Sequence, residues 1–337
     1  MTSKELQIGL VGFGNMGRLH AQQLKYLPEV AVRIVVDANP QNREVASSFY
    51  KDDDVQICND LNEALALSDM DAWVVASSTD THIPVAEQLL RHGATLLLEK
   101  PISRSFQEAE QIRPLVREDS SNLMMGHILL WHREFLAVKG LLSEIGAIKS
   151  IFASRQRSRD HRVRYPGESP FSLTMVHDLY SVFALLSGAK PLSLSAQQRK
   201  HEESGIDLAH AQLFWPGDLF ASFHANFLVP DGLPGGGNID ELQVVGSSGL
   251  IRLSYESGQV IVLKEGARRE IEVARPSGAG LANFFDDALR SELESFVQVV
   301  RHEATVPVGA RYDDACQIQG WIEGFKRSAE SGVVQQC

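Results

Sequence analysis

Cysteine is scarce in this chain. Cys58, Cys316 and Cys337 are odd in number and far apart, which excludes a disulfide framework and leaves no pair at zinc-ligand spacing. The histidines are scattered as well, so no metal site is expected, and the thiol usage fits a reducing, cytoplasmic setting. Long apolar runs are also missing. None approaches the roughly 20 residues that a membrane helix needs, and Met1-Thr2-Ser3-Lys4-Glu5 leads straight into a strand-like run, so neither export nor membrane insertion is expected. Positive charge is in deficit: 32 Lys and Arg stand against 43 Asp and Glu, a net charge of -11. A polyanion would be repelled, and a nucleic-acid partner is not expected. No internal repeat or low-complexity tract is present.

What is there is the balance of a globular enzyme, with 44% hydrophobic and 22% charged residues over 337 positions, a length that suggests two domains. From Leu6 to about Met125, short apolar runs alternate with amphipathic segments of helical length, the pattern of βαβ units on a parallel sheet. The strands read as Leu6–Val11, Val30–Asp37, Val55–Cys58, Ala72–Ala76, Thr95–Leu98 and Asn122–Gly126. After Ser150 the period changes to two. Leu219, Ala221, Phe223, Ala225, Phe227 and Val229 alternate with Ser222, His224 and Asn226, as in a half-buried antiparallel sheet. Further strands are expected near 148–159, 192–201, 209–215, 241–245, 260–264 and 270–274, with helices over 173–186, 288–301 and 312–328. The boundaries expected are 1–126 for a dinucleotide-binding domain and 127–337 for a substrate-binding and oligomerisation domain, whose C-terminal helices can pack back on the first. The Pro230–Gly237 loop is too rich in Gly and Pro for regular structure and reads either as a mobile lid or as an irregular crossover.

Gly12-Phe13-Gly14-Asn15-Met16-Gly17 fits G-x-G-x-x-G, and it follows an apolar strand and opens a helix. Gly12 allows the tight turn, Gly14 lets backbone N–H groups approach a pyrophosphate, and Gly17 lets the helix pack on the strand. The second strand ends in Asp37, 20 residues after Gly17, where a carboxylate can accept both ribose hydroxyls of an adenosine and repel a 2′-phosphate. NAD is therefore expected rather than NADP, with Arg43 as the nearby residue that argues the other way.

The fifth strand ends in Glu99-Lys100-Pro101, at the edge where doubly wound sheets bind ligands. With the glycine motif, Asp37 and Ser77-Ser78-Thr79-Asp80-Thr81-His82, the chain resembles the glucose-fructose oxidoreductase / inositol dehydrogenase / rhizopine-catabolism (Gfo/Idh/MocA) family nearly end to end, through Gly126-His127-Ile128, His177-Asp178 and the C-terminal helices. The resemblance implies an N-terminal Rossmann domain and a C-terminal α/β domain with a large open, mainly antiparallel sheet. It further implies an NAD-dependent dehydrogenase or reductase acting on a secondary alcohol or ketone of a sugar, cyclitol or sugar derivative.

By the same resemblance the catalytic residues are Lys100 and His177, and the cofactor runs past the glycine motif, Asp37, Ser77, Ser78, Thr79, His82, Glu99 and Lys100. An alcohol releases hydride only as its hydroxyl proton leaves, so a base titrating near neutrality is required, which histidine supplies. A lysine can hold the oxygen and stabilise its developing charge. Glu99 is expected to orient Lys100. Inositol dehydrogenase-like members carry an aspartate four residues before this histidine; here Leu173 stands there, which puts an inositol-type substrate in doubt. Asp178 lies about 100° around the helix from His177, so Tyr180, one turn on, is the better hydroxyl partner.

Five arginines fall between Arg155 and Arg164. Arg155, Arg157 and Arg159 alternate on one strand face and could clamp a carboxylate or phosphate of the substrate, or form a solvated face or subunit contact. On the 219–229 strand, Phe220 and Leu228 face away from the core, which suits a homo-oligomer interface, dimer or tetramer. Two other functions compete: a dinucleotide-binding regulator that meets a protein partner, and an enzyme that uses NAD without net redox change, as in glycoside cleavage or epimerisation.

Overall fold

The computed structural model describes residues 4–337 except 68, 202–204, 234–236, 275–277 and 279–282. Two compact units emerge, one from Met1–Trp131 with Pro276–Cys316 and one from His132–Arg275 with Gln317–Cys337. Among the described residues no helix is long and apolar enough to cross a membrane.

The first unit is a six-stranded parallel sheet. Its strands are β1 (Leu6–Val11), β2 (Val30–Val36), β3 (Gln56–Cys58), β4 (Ala72–Val75), β5 (Leu96–Glu99) and β6 (Leu123–Gly126), in the order β3-β2-β1-β4-β5-β6. Each residue of β4, β5 and β6 is buried, as expected of strands covered on both faces. Helices α1 (Asn15–Leu24), α2 (Pro40–Phe49), α3 (Leu61–Leu67) and α4 (Thr79–Arg91) make the crossovers, with α5 (Phe106–Ala109) following β5. Their starts are written locally: Asn39 accepts from the Gln41 N–H and Pro40 occupies the first turn of α2, a position where its missing N–H does no harm. Trp73, Leu89, Leu96 and Leu98 centre one face of the core, and Tyr312, Ala315 and Cys316 from the end of the chain complete it. The chain order reverses between β1 and β4, the switch point at which such sheets open a crevice.

The second unit is built on a nine-stranded sheet. It comprises α6 (Arg133–Leu141), β7 (Ile148–Ser158), α7 (His161–Arg164), α8 (Val176–Leu185), β8 (Ser193–His201), β9 (Gly205–Phe214), β10 (Phe220–Val229), β11 (Ile239–Gly246), β12 (Leu250–Ser254), β13 (Gln259–Lys264), β14 (Ala267–Ile271) and β15 (Gln335–Gln336). The order is β14-β13-β12-β11-β7-β10-β9-β8-β15. Every neighbouring pair is antiparallel except β7 with β10, which run parallel, so the sheet is mixed though mainly antiparallel.

Three local readings change. β12 was not anticipated, although Ile251 and Leu253 are buried and Arg252 is exposed, the alternation of a short strand. The last strand of this meander is Ala267–Ile271, not 270–274, because the turn at Gly266 (φ 65°) starts it earlier, and its near-uniform exposure hides any period. Within β10 the alternation breaks at a register shift after Asn226, leaving Asn226 buried beside Phe227. In the Pro230–Gly237 loop, residues 234–236 lie outside the described residues, and the lid reading with them.

Candidate functional site

In the first unit, a cavity of about 550 Å³ opens at the carboxyl ends of β1, β2 and β4, lined among others by Gly12, Gly14, Asp37, Ala76, Ser77 and Ser78. The three motif glycines have separate reasons for being there. Gly12 has φ 93°, and a Cβ would stand 2.6 Å from Ala76 O; at Gly17 a Cβ would stand 2.0 Å from Gly12 O. At Gly14, the N-cap of α1, a Cβ would meet nothing within 4 Å. Space left open at a helix N-terminus, where N–H groups and partial positive charge point outward, is what a pyrophosphate requires. Asn15 and Met16 line the same cavity.

Asp37, directly after β2, lines the same cavity. Its Oδ2 accepts from Phe13 N at 2.6 Å and from Asn42 Nδ2 at 3.1 Å, and its Oδ1 accepts from Asn39 N at 2.8 Å. With two lone pairs per oxygen, one acceptor direction on Oδ1 is left open. Arg43 donates to the carbonyls of Asp37 and Ala38, so its guanidinium is directed at the backbone. Phe13 enters the assignment differently from the expectation: its side chain is fully buried against Phe49 and Tyr50, and its N–H belongs to Asp37.

Thr81 lines the cavity and Thr79 does not; the Thr81 hydroxyl donates to Ser77 Oγ at 2.8 Å. His82 is buried, with Nδ1 2.8 Å from Pro101 O and Nε2 3.1 Å from Ser77 O. Burial pushes its midpoint down while the two carbonyls oppose the shift, so it ties the loop after β4 to the Lys100–Pro101 turn. Asn42, Asn59, Asp60 and Leu61, which also line the cavity, were missed. The available signal was their place just after β2 and β3, on the ligand-binding edge.

Lys100 is half-buried, and its backbone N–H donates to Glu99 Oε2 at 3.1 Å. Glu99 Oε1 lies 2.8 Å from His20 Nε2. Burial pushes the Glu99 carboxyl up, but the His20 hydrogen bond, the His20 charge and Lys100 together hold it below the ordinary range. Neither Glu99 nor Lys100 lines the dinucleotide cavity. His127 sits against Gly309 O, and burial drives its midpoint down to about 4.

In the second unit, His177 lies in the first turn of α8, with Nδ1 2.7 Å from Tyr180 Oη. Tyr180 is fully buried, so the phenol fixes the ring from within the core. Ahead of α8, Phe171–Met175 form a π-helical turn. Leu173 therefore stands in a widened turn, a local form that recurs at functional sites, rather than one regular α-helical turn before His177.

Arg155 and Arg157, which read as an anion clamp or as a solvated or subunit face, are engaged by the protein's own carboxylates. Arg155 Nε donates to Asp178 Oδ1 at 3.0 Å, Arg155 also contacts Asp240 Oδ2 at 3.1 Å, and Arg157 forks onto both Asp240 oxygens. Arg155 and Asp178 are both almost wholly buried. Burial pushes the Asp178 carboxyl up to about 6 against the pull of Arg155. Two arginines and two aspartates thus pair with one another, while Arg155 Nη2 is buried without an acceptor.

The oxidoreductase family with an NAD-binding Rossmann fold, Gfo/Idh/MocA, matches residues 6–127. Over those residues the chain is similar to the NAD-binding part of the Gfo/Idh/MocA oxidoreductases. Inositol 2-dehydrogenase of Rhizobium meliloti (strain 1021) is 27% identical over 195 residues, which are 57% of this chain and 58% of that protein. The protein of the same name from Burkholderia lata is 25% identical over 334 residues, 98% of this chain and 96% of the relative. Among solved structures, UDP-N-acetylglucosamine 3-dehydrogenase of Acidithiobacillus ferrooxidans has a TM-score of 0.81 at 20% identity, covering 97% of this chain and 98% of that one. An oxidoreductase from Agrobacterium radiobacter, in complex with NAD+, L-tartaric acid and magnesium, has a TM-score of 0.83 at 17% identity, covering 99% and 98%. These structures share the fold. The open Gly14 and the Asp37 carboxylate both lie within the residues that match this NAD-binding fold.

Proposed function

We propose that this protein is an NAD-dependent oxidoreductase acting on a secondary alcohol or ketone of a sugar, cyclitol or sugar derivative. The observation that carries the reading is the cavity at β1 and β4, with free space at Gly14 and the Asp37 carboxylate at its adenosine end. Gly12 to Gly17 would hold the pyrophosphate and Asp37 a ribose hydroxyl; a 2′-phosphate there would face the Asp37 charge, while Arg43 is turned to carbonyls. When bound, NAD supplies the hydride acceptor or donor.

His177 takes the proton of the substrate hydroxyl, its ring held by Tyr180 Oη, and a base with a midpoint near neutrality suits that step. Lys100 stabilises negative charge that develops on a substrate oxygen. With Leu173 in place of an aspartate, the hydroxyl of Tyr180 is the polar partner of His177. The names of the relatives, inositol 2-dehydrogenase and UDP-N-acetylglucosamine 3-dehydrogenase, support a cyclitol or sugar derivative as the substrate class. The protein is further proposed to work as a cytoplasmic homo-oligomer, its thiols free and its Phe152 and Phe220 side chains exposed on the same face of the second sheet.

The test is a spectrophotometric screen for reduced nicotinamide, with NAD or NADP, against cyclitols, aldoses, sugar acids and their keto forms. Substrate-dependent change with NAD supports the reading. A flat panel from protein that binds NAD overturns the redox assignment in favour of regulation or non-redox turnover.

A further inference from the structure

Behind Lys100 lies a group of side chains that the redox reading does not use. His20 on α1, Glu99 at the end of β5 and Glu292 on the helix Phe284–Val300 are all buried, and they bring one nitrogen or oxygen atom each within 4.8 Å of one another. The helix Phe284–Val300 packs on α1 and on the turn Ile128–Trp131, which carries Glu292 into the interior. Neither carboxyl oxygen of Glu292 receives a hydrogen bond. An ionised carboxylate buried without a donor is prohibitively costly, and such a group takes up a proton instead. Once protonated, it becomes a donor, and the Glu99 carboxylate is an acceptor within 4.8 Å. Burial and the neighbouring Glu99 charge both push Glu292 well above the ordinary carboxyl range.

We propose that Glu292 is a positioning residue for Lys100: a neutral carboxylic acid whose O–H donates a hydrogen bond to the ionised Glu99 and disperses the charge that Lys100 meets. No bond is made or broken; the proton stays on Glu292 and the charge on Glu99. The inference rests on the role of Lys100 proposed above. The titratable groups around the pair are His20 from α1, Glu99 and Lys100 from the end of β5, His82 from α4 and His127 after β6, and the last two both feel the charges of Glu99 and Lys100.

The test needs no substrate. The pH dependence of Lys100 acylation is followed by mass spectrometry in wild type, Glu292→Leu and Glu292→Gln, and each protein is melted across neutral and alkaline pH. Glu292→Leu removes the donor, so the Glu99 charge, still held by His20 and Lys100, is less dispersed and bears more strongly on Lys100, and the acylation midpoint should rise by about half a pH unit or more. Glu292→Gln keeps a donor and should restore the wild-type midpoint. A raised carboxyl stabilises the fold in its protonated form, and that stability disappears as pH rises through the folded midpoint. Wild type should therefore lose melting temperature toward alkaline pH, and the Gln variant should lose less. Equal midpoints in all three proteins, or a Gln variant that behaves as Leu, would overturn the proposal. So would about one divalent ion per purified chain that Glu292→Gln abolishes, because an ion would then hold the charge in place of the proton. If the Lys100 midpoint shifts as stated while Lys100→Ala turns over normally, the redox role of Lys100 fails and the coupling stands. Should Glu292→Leu not fold, Glu292→Met replaces it in the same comparison.

Discussion

Gly14 offers a way to separate cofactor affinity from stability. Its backbone, φ −71° and ψ −160°, is open to any L-residue, and a Cβ there meets no atom within 4 Å. Alanine should therefore leave the apo fold intact, or stabilise it by about 0.4–1 kcal/mol through the unfolded chain. The added methyl instead occupies space where a pyrophosphate would approach. Losing one hydrogen bond to a charged phosphate removes about 1.5–3 kcal/mol, which is about 10- to 150-fold in Kd. Gly17→Ala is the opposite case, because its Cβ would lie 2.0 Å from the Gly12 carbonyl oxygen. Backbone has to move, at a cost of about 1–3 kcal/mol or more, and the melting temperature should fall by several degrees. Calorimetric titration with NAD, beside thermal melts without it, reads both quantities. If Gly14→Ala binds NAD as wild type does, or melts as low as Gly17→Ala, the assignment of the cavity is wrong.

Lys100→Ala and His177→Ala should each reduce turnover by about 100-fold or more while NAD affinity stays nearly constant; wild-type rates in both would remove these residues from the chemistry. Arg155→Met leaves Asp178 and Asp240 facing each other without their shared cation, and should destabilise by about 3–5 kcal/mol in a denaturant titration. The Asp178 carboxyl, pushed up to about 6, favours the fold while protonated and loses that contribution as pH rises through its folded midpoint. Relative to Asp178→Asn, wild type should lose up to about 3 kcal/mol between acid and neutral pH, and parallel stability curves would contradict the shift. Charging the exposed side of the second sheet with Phe152→Lys and Phe220→Lys should yield monomers by analytical ultracentrifugation, and an unchanged mass would place the interface elsewhere.

The first sheet was readable because its signals are local. Each strand is a short apolar run between turn residues, and all six appear within a residue or two of the expected positions. The glycine motif and Asp37 are likewise a matter of spacing along one βαβ unit. The exposed strand Ala267–Ile271 was misplaced because an edge with both faces wet carries no alternation. Arg155 and Arg157 suggested a ligand clamp because their partners are remote: Asp178 sits on a helix and Asp240 on β11, 83 residues beyond Arg157. Glu292 was invisible for the same reason. An acid in an amphipathic helix reads as solvated until the fold shows which face of that helix is covered.

The first unit is also discontinuous in the chain. Met125 N donates to Ala310 O, and Tyr312 reaches Ala109 O with its hydroxyl, so the far edge of the dinucleotide-binding sheet is closed by residues synthesised late. A nascent chain that has produced all six strands still has the apolar surface meant for Tyr312, Ala315 and Cys316 exposed until some 180 further residues have been made. Domains usually fold as units as they emerge from the ribosome, but this order of synthesis denies the first unit that option and makes a chain truncated after β14 defective in the half that was completed first.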